Sequence, residues 1–527
     1  MVRLKTGGGK NASANAILTT DITVNKGVLD AIKDRVSGND FIEWIPVGSA
    51  KNAYTGTFDG KGYTISGLYF DHPDADYYVG LFGCIGHDGK GKISNVGVLD
   101  SYFQFGAQGG GVCGVNNGEL QKCSNSSTVI GNRSAGGVCG MTYFGGTIKN
   151  CKNTGYVRGT GNNVGGVCGD NSGTSIINCF NEGTVEGVSY VGGVCGNNSA
   201  PVKSCYNTGS VHGTGNYVGG VCGFSQNVTN YCYYLSGTVA DGKGGIGNRD
   251  DEKDKAEKMS TEQFESGEMA WLLNGKGLGE QVWGQQLGKD PSPVFGSDYK
   301  VIKAAQGDKD ANGNYTYWAT FSNLTNDATL SVQSGRTLNV YNATVSGGKL
   351  TLTERNNQVA KKEGVLLKTD GEYVNAKVNM INELTAASSD ENNLVATPAE
   401  AQTVTATGYI LYRLTYNDAK TKAGLGFYLG VDKENNSSDG TSLKATPGKA
   451  YLQVSENEAK APSSAALARS FVFGSGNETT GIEGITIMGT DVQRHGTIEG
   501  IFDLQGRKIV NPTKGIYIKN NKKVVIK

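Results

Sequence analysis

Short apolar runs alternate with polar, glycine-containing turns over the first half of the chain. One unit begins with the apolar run 164–169 (VGGVCG) and passes through a polar turn at 170–173 to a second run at 176–179. After a turn at 181–183 it reaches a third run at 184–186. Because short apolar runs bounded by turn residues are typical of strands, each unit of about 27 residues is predicted to form three strands.

This unit recurs along the chain at a nearly constant interval. The element GGVCG returns once in each unit, and a second element, roughly IxNC, returns at the same interval. A weaker copy of the first element, VGLFGC, contains Cys84 and lies one interval before the first GGVCG cysteine. The two elements give two predicted structural ladders, the first of Cys113, Cys139, Cys168, Cys195 and Cys222 and the second of Cys123, Cys151, Cys179, Cys205 and Cys232.

A repeat of this length cannot bury its apolar face alone and must stack on its neighbours. Stacked coils bring equivalent residues to the spacing of paired strands, about 4.8 Å. We therefore predict an all-β fold whose N-terminal part, residues 1–245, is a right-handed β-solenoid of three-strand coils. Glycine at the corners supplies the positive φ that tight turns need.

The repeats, introduced by WIPVG at 44–48 and YTGTFDGKGYTISGL at 54–68, resemble the GLUG-motif repeat family. The resemblance covers about residues 40–240. That family occurs in large bacterial cell-surface proteins, including some immunoglobulin-cleaving peptidases. The resemblance implies a β-solenoid in an extracellular setting. It supplies no catalytic site, because the repeats are accessory parts of those proteins.

Three interpretations of the eleven cysteines are open: buried packing groups, disulfides and metal ligands. A buried thiol is a small hydrophobic group that suits a narrow coil. Stacked cysteines would also lie within the Cα separation of a disulfide, although parallel side chains point the same way. Metal binding would need CxxC pairs or nearby histidines, and the sequence has neither.

Composition changes near residue 245, and we predict a linker with a capping helix at 246–298. The charge run 248–258 is read as a solvated linker or a helix start. Ser260 and Gln263 form a capping box, so one helix is predicted over 260–273. This helix would cover the open edge of the last coil.

Strand patterns with turn signals fill residues 299–482, where we predict a β-sandwich. Their order resembles a β-domain near the C-terminus of Bacteroidetes-type adhesins. Residues 483–527 are predicted to form a small β-meander. Their segments GIFDLQGRK and KGIYIK resemble the C-terminal sorting domain of proteins exported by the type IX route, which implies export machinery as a partner.

Composition narrows the function classes. The chain has 80 Gly but only 9 Pro among 527 residues, which favours tight turns over a collagen-like or Pro-rich chain. Lys plus Arg and Asp plus Glu are both 49. This balance argues against a nucleic-acid partner, and no apolar run is long enough for a transmembrane helix.

No catalytic or cofactor motif stands out, so we expect no enzyme, no cofactor and no metal site. HExxH, GxSxG and P-loop patterns are absent. The segment 308–313 matches half of a calcium loop, but a hairpin turn at Asn312-Gly313 explains it more simply. Acidic residues in the coils are scattered rather than paired, at Glu119, Asp170, Glu182 and Glu186.

Aromatic residues recur at two positions of the repeat. This possible binding stripe consists of Tyr78, Tyr190, Tyr217, Phe180, Tyr206 and Tyr233. Stacked rings are either a structural ladder or, if exposed, flat surfaces with polar tips that suit sugars or protein partners.

These observations favour a non-catalytic adhesin at the bacterial cell surface, attached to the outer membrane. Its solenoid would be a rigid spacer that contacts a host or neighbouring-cell protein or glycan. Two alternatives stay open at this point. One is a polysaccharide-active or peptidase-linked protein with a site in a solenoid groove, and the other is a structural component of a surface layer.

Overall fold

The computed structural model is all-β, as predicted, and divides into two compact units, residues 1–301 and 302–527. In the described residues the only helices are three short ones, Val28–Lys33, Thr261–Glu265 and Glu268–Leu273. None of these helices has the length and hydropathy of a membrane span. The structure describes residues 12–33, 41–86, 89–173, 175–227, 229–248, 256–275, 282–296, 299–309, 312–323, 327–332, 335–346, 349–380, 392–398, 402–417, 424–430, 440–446, 448–459, 470–472, 486–487, 501–502, 508–509, 515–519 and 522–526.

The first unit contains a β-solenoid, as predicted, and the strands of this solenoid form five parallel sheets. Sheet 1 contains Ala16–Ile17, Thr57–Asp59, Lys92–Ser94, Glu119–Gln121, Thr147–Lys149, Ser175–Ile177, Val202–Lys203 and Thr229–Asn230. Sheet 2 contains Ile22–Thr23, Thr64–Ser66, Gly97–Leu99, Ser124–Asn125, Lys152–Asn153, Phe180–Asn181, Tyr206–Asn207, Cys232–Leu235 and Ala256–Met259. Sheet 3 contains Tyr69–His72, Tyr102–Phe105, Thr128–Gly131, Val157–Gly159, Val185–Gly187 and Val211–Gly213. Sheet 4 contains Gly109–Gly110, Ala135–Gly136, Asn162–Gly165, Ser189–Gly192 and Val218–Gly219.

Sheet 5 contains the GGVCG cysteines. Each coil runs from its sheet 4 residues through sheets 5, 1, 2 and 3 and takes its number from its strand in sheet 5. Coils 1 to 6 are those of Phe82–Ile85, Cys113–Asn116, Cys139–Thr142, Cys168–Asn171, Cys195–Asn198 and Cys222–Ser225. Successive coils pair cysteine with cysteine from Cys113 to Cys222. Coil 1 departs from the predicted column, because Phe82 takes the place opposite Cys113 while Cys84 pairs with Val115.

Each of coils 2 to 5 contains five short strands where the sequence pattern predicts three. The predicted run 164–169 falls in two strands, Asn162–Gly165 and Cys168–Asn171. The predicted run 176–179 is interrupted at Asn178, whose φ of 52° is left-handed and turns the chain into the next sheet. The apolar pattern continues through these corners, so it does not mark them.

The interior of the solenoid is a column of valine, isoleucine and cysteine side chains, with a ladder of buried asparagines beside it. The side-chain amides of Asn125, Asn153 and Asn181 each donate to the side-chain carbonyl of the asparagine one coil further on, at 2.8 Å each time. A Cβ at Gly166 of the GGVCG element would collide with the Asn181 side chain, which explains the second glycine of that element. The ladder consists of Asn125, Asn153, Asn181 and Asn207.

The segment that follows coil 6 differs from its prediction in two ways. Part of the charge run forms the strand Ala256–Met259, which extends sheet 2 by pairing in parallel with Cys232–Leu235. The single predicted helix is two helices, because Gly267 between them has a left-handed φ of 90°. The capping box of Ser260 and Gln263 is present. Val294–Phe295 pairs antiparallel with Trp283–Gly284 to complete the segment.

The second unit contains the predicted antiparallel sheets, and its middle sheet is buried on both faces. Phe321 of the middle sheet packs with Leu330 of one neighbouring sheet, whereas Trp318 packs with Phe427 of another. The middle sheet contains Ala305–Lys309, Tyr315–Ser322, Gly364–Thr369, Leu338–Ser346 and Lys349–Arg355. The first neighbour contains Tyr299–Lys303, Tyr373–Met380, Ala328–Ser331 and Gln358–Val359. The second neighbour contains Leu394–Ala396, Ala450–Ser455, Tyr409–Asn417, Gly424–Leu429, Ser470–Val472 and Thr486–Ile487.

Smaller antiparallel elements complete this unit. Gln402–Thr405 pairs with Ser442–Ala445. The predicted hairpin turn at 312–313 joins two antiparallel strands, and Gly313 has a φ of 83°. The C-terminal strands, predicted as a meander, form a four-stranded antiparallel sheet in the order Lys508–Ile509, Ile501–Phe502, Gly515–Lys519 and Lys522–Ile526. Ile501–Phe502 lies between the next two strands of the chain, so the order is not that of a simple meander.

Candidate functional site

The two cysteine columns lie inside the solenoid, where burial keeps their thiols in the unreactive, protonated form. All eleven cysteines are buried thiols. In the second column the backbone N–H of Cys123 donates to the sulfur of Cys151 at 3.4 Å, and Cys179 bonds Cys205 in the same way at 3.3 Å. Burial raises the pKa of Cys168 and its neighbours well above the usual thiol value. Because the thiolate is the reactive form, these cysteines act as packing groups.

The six aromatic residues that the sequence groups together do not form one stripe. Phe180, Tyr206 and Tyr233 stack in register on sheet 2, and each is at most 2% exposed. The rings of Phe180 and Tyr206 are 4.9 Å apart and nearly parallel. These three residues form a buried structural ladder, which is one of the two readings that the sequence left open.

Residues 256–275 and 282–296 cover this inner ladder. Phe264 and Trp283 pack edge-on or tilted against the Tyr206 ring. The Tyr206 hydroxyl donates to the carbonyl of Pro293 at 2.7 Å, which ties the segment to the solenoid. The predicted covering of the last coil is therefore made by a side contact with sheet 2 as well as by the added strand Ala256–Met259.

Tyr190 and Tyr217 lie on a different side of the coil, on or beside sheet 4, and are half-buried. Their ring centroids are 5.0 Å apart, and both rings contact Phe224, at 5.6 Å and 5.2 Å. We call these three residues the outer aromatic cluster. Tyr78 does not join it, because the neighbouring Val79 pairs with Gly109 at the other end of the stack.

Phe224 is the member that the sequence analysis missed. It occupies the second position after the GGVCG cysteine, which is also the position of Asn197 one coil earlier and of Asp170 two coils earlier. The register of the repeat places Phe224 beside the tyrosines, but the equivalent residues Asp170 and Asn197 are not aromatic, so no recurring aromatic pattern marks this position.

Three polar side chains lie next to the outer aromatic cluster on its coil 4 side, where Asn163 and Asn197 are half-buried and Asp170 is buried. The Asp170 carboxylate accepts hydrogen bonds from the amides of Asn163 at 3.0 Å and Asn197 at 3.3 Å. Its second oxygen accepts from the Ser172 hydroxyl at 2.9 Å. Desolvation raises the pKa of Asp170 from the ordinary value, although the bonds from Ser172 and Asn197 oppose the shift. We call Asn163, Asp170 and Asn197 the polar triad.

The backbone at the tyrosine positions is strained. Asn163, Tyr190 and Tyr217 occupy equivalent places in coils 4 to 6, with φ values of 62°, 56° and 61°. Asparagine tolerates this left-handed conformation, whereas a bulky tyrosine adopts it at a cost. Strained residues of this kind tend to occur at functional sites.

The other acidic residues noted in the sequence lie on separate parts of the coil. Glu119 of sheet 1 pairs with Lys92 at 3.1 Å. Glu186 of sheet 3 accepts from the Tyr156 hydroxyl at 2.5 Å, and Glu182 accepts from Ser292 at 3.0 Å. Within the described ranges, no three His, Cys, Asp or Glu side chains come together as a metal site. The outer aromatic cluster can therefore stack against a ligand, and the polar triad beside it can form hydrogen bonds.

Comparison with known proteins gives one partial similarity. Over 109 residues the chain is 38% identical to halomucin of Haloquadratum walsbyi, a match that covers 20% of this chain and 1% of halomucin. The chain thus corresponds to a small part of that protein. No family model matches the chain, so the resemblance to GLUG repeats stays a prediction. No solved structure matches it. The chain is a repeat β-solenoid protein with a partial similarity to halomucin.

Proposed function

We propose that this chain is a cell-surface adhesin that acts by binding and not by catalysis. The solenoid holds a recognition surface away from its point of attachment and presents it to a host or neighbouring-cell protein or glycan. The observation that carries this proposal is the outer aromatic cluster beside the polar triad, displayed on consecutive coils of a rigid scaffold.

The rigidity of the scaffold follows from its pairing. Every coil between Phe82 and Ser225 is bonded to the next through parallel strands in matching register. The buried asparagine ladder adds side-chain hydrogen bonds along the same direction. Such a quasi-one-dimensional stack presents side chains at fixed spacing, which is how repeat proteins build extended binding surfaces.

The surface location is supported by the resemblance to GLUG-repeat surface proteins and by the partial similarity to halomucin. The resemblance of residues 483–527 to a type IX sorting domain supports attachment at the outer membrane of a Bacteroidetes-type bacterium. The second unit would then connect the solenoid to this tail or carry a binding surface of its own.

The test is to apply the purified full chain to an array of glycans and extracellular-matrix proteins. Far-UV circular dichroism confirms its β-structure beforehand. Saturable binding to at least one class supports the proposal. A folded chain that binds nothing on either array would overturn it. Turnover of a polysaccharide or protein on the array, detected by mass spectrometry of released fragments, would overturn the non-catalytic part.

A further inference from the structure

We infer that the outer aromatic cluster and the polar triad together form a subsite for one pyranose ring of an uncharged glycan. The inference rests on the proposed adhesive function and names the chemistry of its ligand. The subsite spans coils 4 to 6 on one side of the solenoid.

The aromatic part can pack against the C–H face of a sugar. Tyr190, Tyr217 and Phe224 are half-buried, so each residue keeps part of its surface open to solvent. Their planes are inclined to one another by 53–70°. The three aromatic rings therefore form a concave, angled surface and not a flat one. Such a surface can pack against a single sugar ring. A long planar polysaccharide chain would need parallel rings, which this arrangement lacks.

The polar part can bond the hydroxyls of the same sugar. Asn197 lies between Asp170 and Phe224 in the strand register, so the polar triad begins where the outer aromatic cluster ends. Carboxylate and amide oxygens accept from hydroxyl groups, and amide nitrogens donate to them. The triad holds its groups in place by its own hydrogen bonds, which reduces the ordering that binding requires.

The charge of the subsite determines which sugars it can bind. The six residues of the subsite include one charged group, the carboxylate of Asp170, which is 9% exposed and has no cation among its hydrogen-bond partners Asn163, Asn197 and Ser172. A second negative charge brought into this partly desolvated place would be repelled. Sialic acids and uronic acids are therefore excluded, and a neutral hexose or N-acetylhexosamine is favoured.

The two strained tyrosines can be replaced by a residue that suits their left-handed backbone. At the equivalent position coil 4 has Asn163, which fits the left-handed backbone without strain. Tyr190→Asn with Tyr217→Asn removes both rings and keeps a residue type that the scaffold already accepts there. Phe224→Asn likewise reproduces Asn197 one coil earlier. These variants remove the aromatic surface without threatening the fold.

The experiment uses saturation-transfer difference NMR on the full chain. The neutral probes are the methyl glycosides of glucose, galactose, mannose and N-acetylglucosamine. N-acetylneuraminic acid and glucuronic acid form the anionic arm, and a lysine-rich peptide forms the cationic-peptide arm. We expect at least one neutral glycoside to show transfer and the anionic sugars to show none. The double variant should weaken binding of that glycoside at least tenfold, whereas Tyr63→Ala, which removes an exposed tyrosine remote from the subsite, should not change it.

The outcomes separate this inference from the proposed function. If the wild-type chain binds array proteins or glycans while the double variant binds them equally well, the subsite is overturned and the adhesive function stands. Preference for the lysine-rich peptide or for anionic sugars also overturns the subsite alone. If the wild-type chain binds no array component and no probe, both proposals fall.

Discussion

The buried asparagine ladder makes a quantitative prediction about stability. Asn153 is fully buried in the middle of the ladder. Its amide donates to the Asn181 side chain at 2.8 Å and to the Gly155 carbonyl at 2.9 Å. Its carbonyl accepts from Asn125 at 2.8 Å and from the Gly155 N–H at 3.2 Å. Asn153→Ala would remove all four bonds and leave buried partners unsatisfied.

The expected loss follows from the number of bonds. A protein hydrogen bond contributes roughly 0.5–1.5 kcal/mol net, and a buried group left without a partner costs more. Four bonds therefore predict a fall of about 4 kcal/mol in the free energy of unfolding. With a urea slope of about 3 kcal/mol per molar for a unit of this size, the unfolding midpoint should fall by about 1.3 M.

The measurement is urea unfolding of the full chain followed by circular dichroism, with hydrogen exchange to locate the weakened coil. Asn162→Ala is the matched control, because Asn162 is an exposed asparagine in the next coil. Asn153→Asp keeps the acceptor contacts but loses both donor contacts and buries a charge, so it should destabilise at least as strongly. If Asn153→Ala shifts the midpoint no more than Asn162→Ala does, the ladder does not stabilise the solenoid as argued.

Three further predictions concern the aromatic and acidic residues. Tyr206→Phe should leave the buried carbonyl of Pro293 without its donor and lower the free energy of unfolding by about 1–2 kcal/mol. Hydrogen exchange of residues 290–296 should become faster. Unchanged exchange would show that the Tyr206 hydroxyl does not hold this segment on the solenoid. Asp170→Asn should stabilise the protein at neutral pH, because the raised pKa means that folding disfavours the charged form. That advantage should shrink as pH falls through the raised pKa toward the ordinary aspartate value, and stability curves of variant and wild type that run parallel across this pH range would refute it. Tyr190→Asn should be about 1 kcal/mol more stable in urea than Tyr190→Ala, since only asparagine fits the left-handed backbone; equal midpoints would refute the strain.

Much of the solenoid could be predicted because its information is periodic. A cysteine that returns at a nearly constant interval must stack on its copy, and the register from Cys113 to Cys222 confirms this. Corners are harder to predict, because residues such as Asn178 turn the chain without interrupting the apolar pattern. The strand Ala256–Met259 was missed because its pairing partner, not its own charged sequence, makes it a strand.

The candidate site was only partly predictable for a related reason. Periodicity puts Tyr190 and Tyr217 in one column and Tyr206 and Tyr233 in another. It cannot tell which column a later segment will cover, because that depends on a contact between Tyr206 and the distant Pro293. The strain at Tyr190 is also invisible in the sequence, since it depends on a backbone angle.

The separation of inward from outward columns has a consequence for how such a protein diversifies. The inner ladders fix the period and permit little change, whereas the position held by Asp170, Asn197 and Phe224 accepts an acid, an amide or a ring on the same backbone. Each coil thus combines inward-facing residues that stay constant along the stack with an outward position whose residue type varies. New binding specificities can arise by substitution at this position or by duplication of single coils, without a change in the interior of the solenoid.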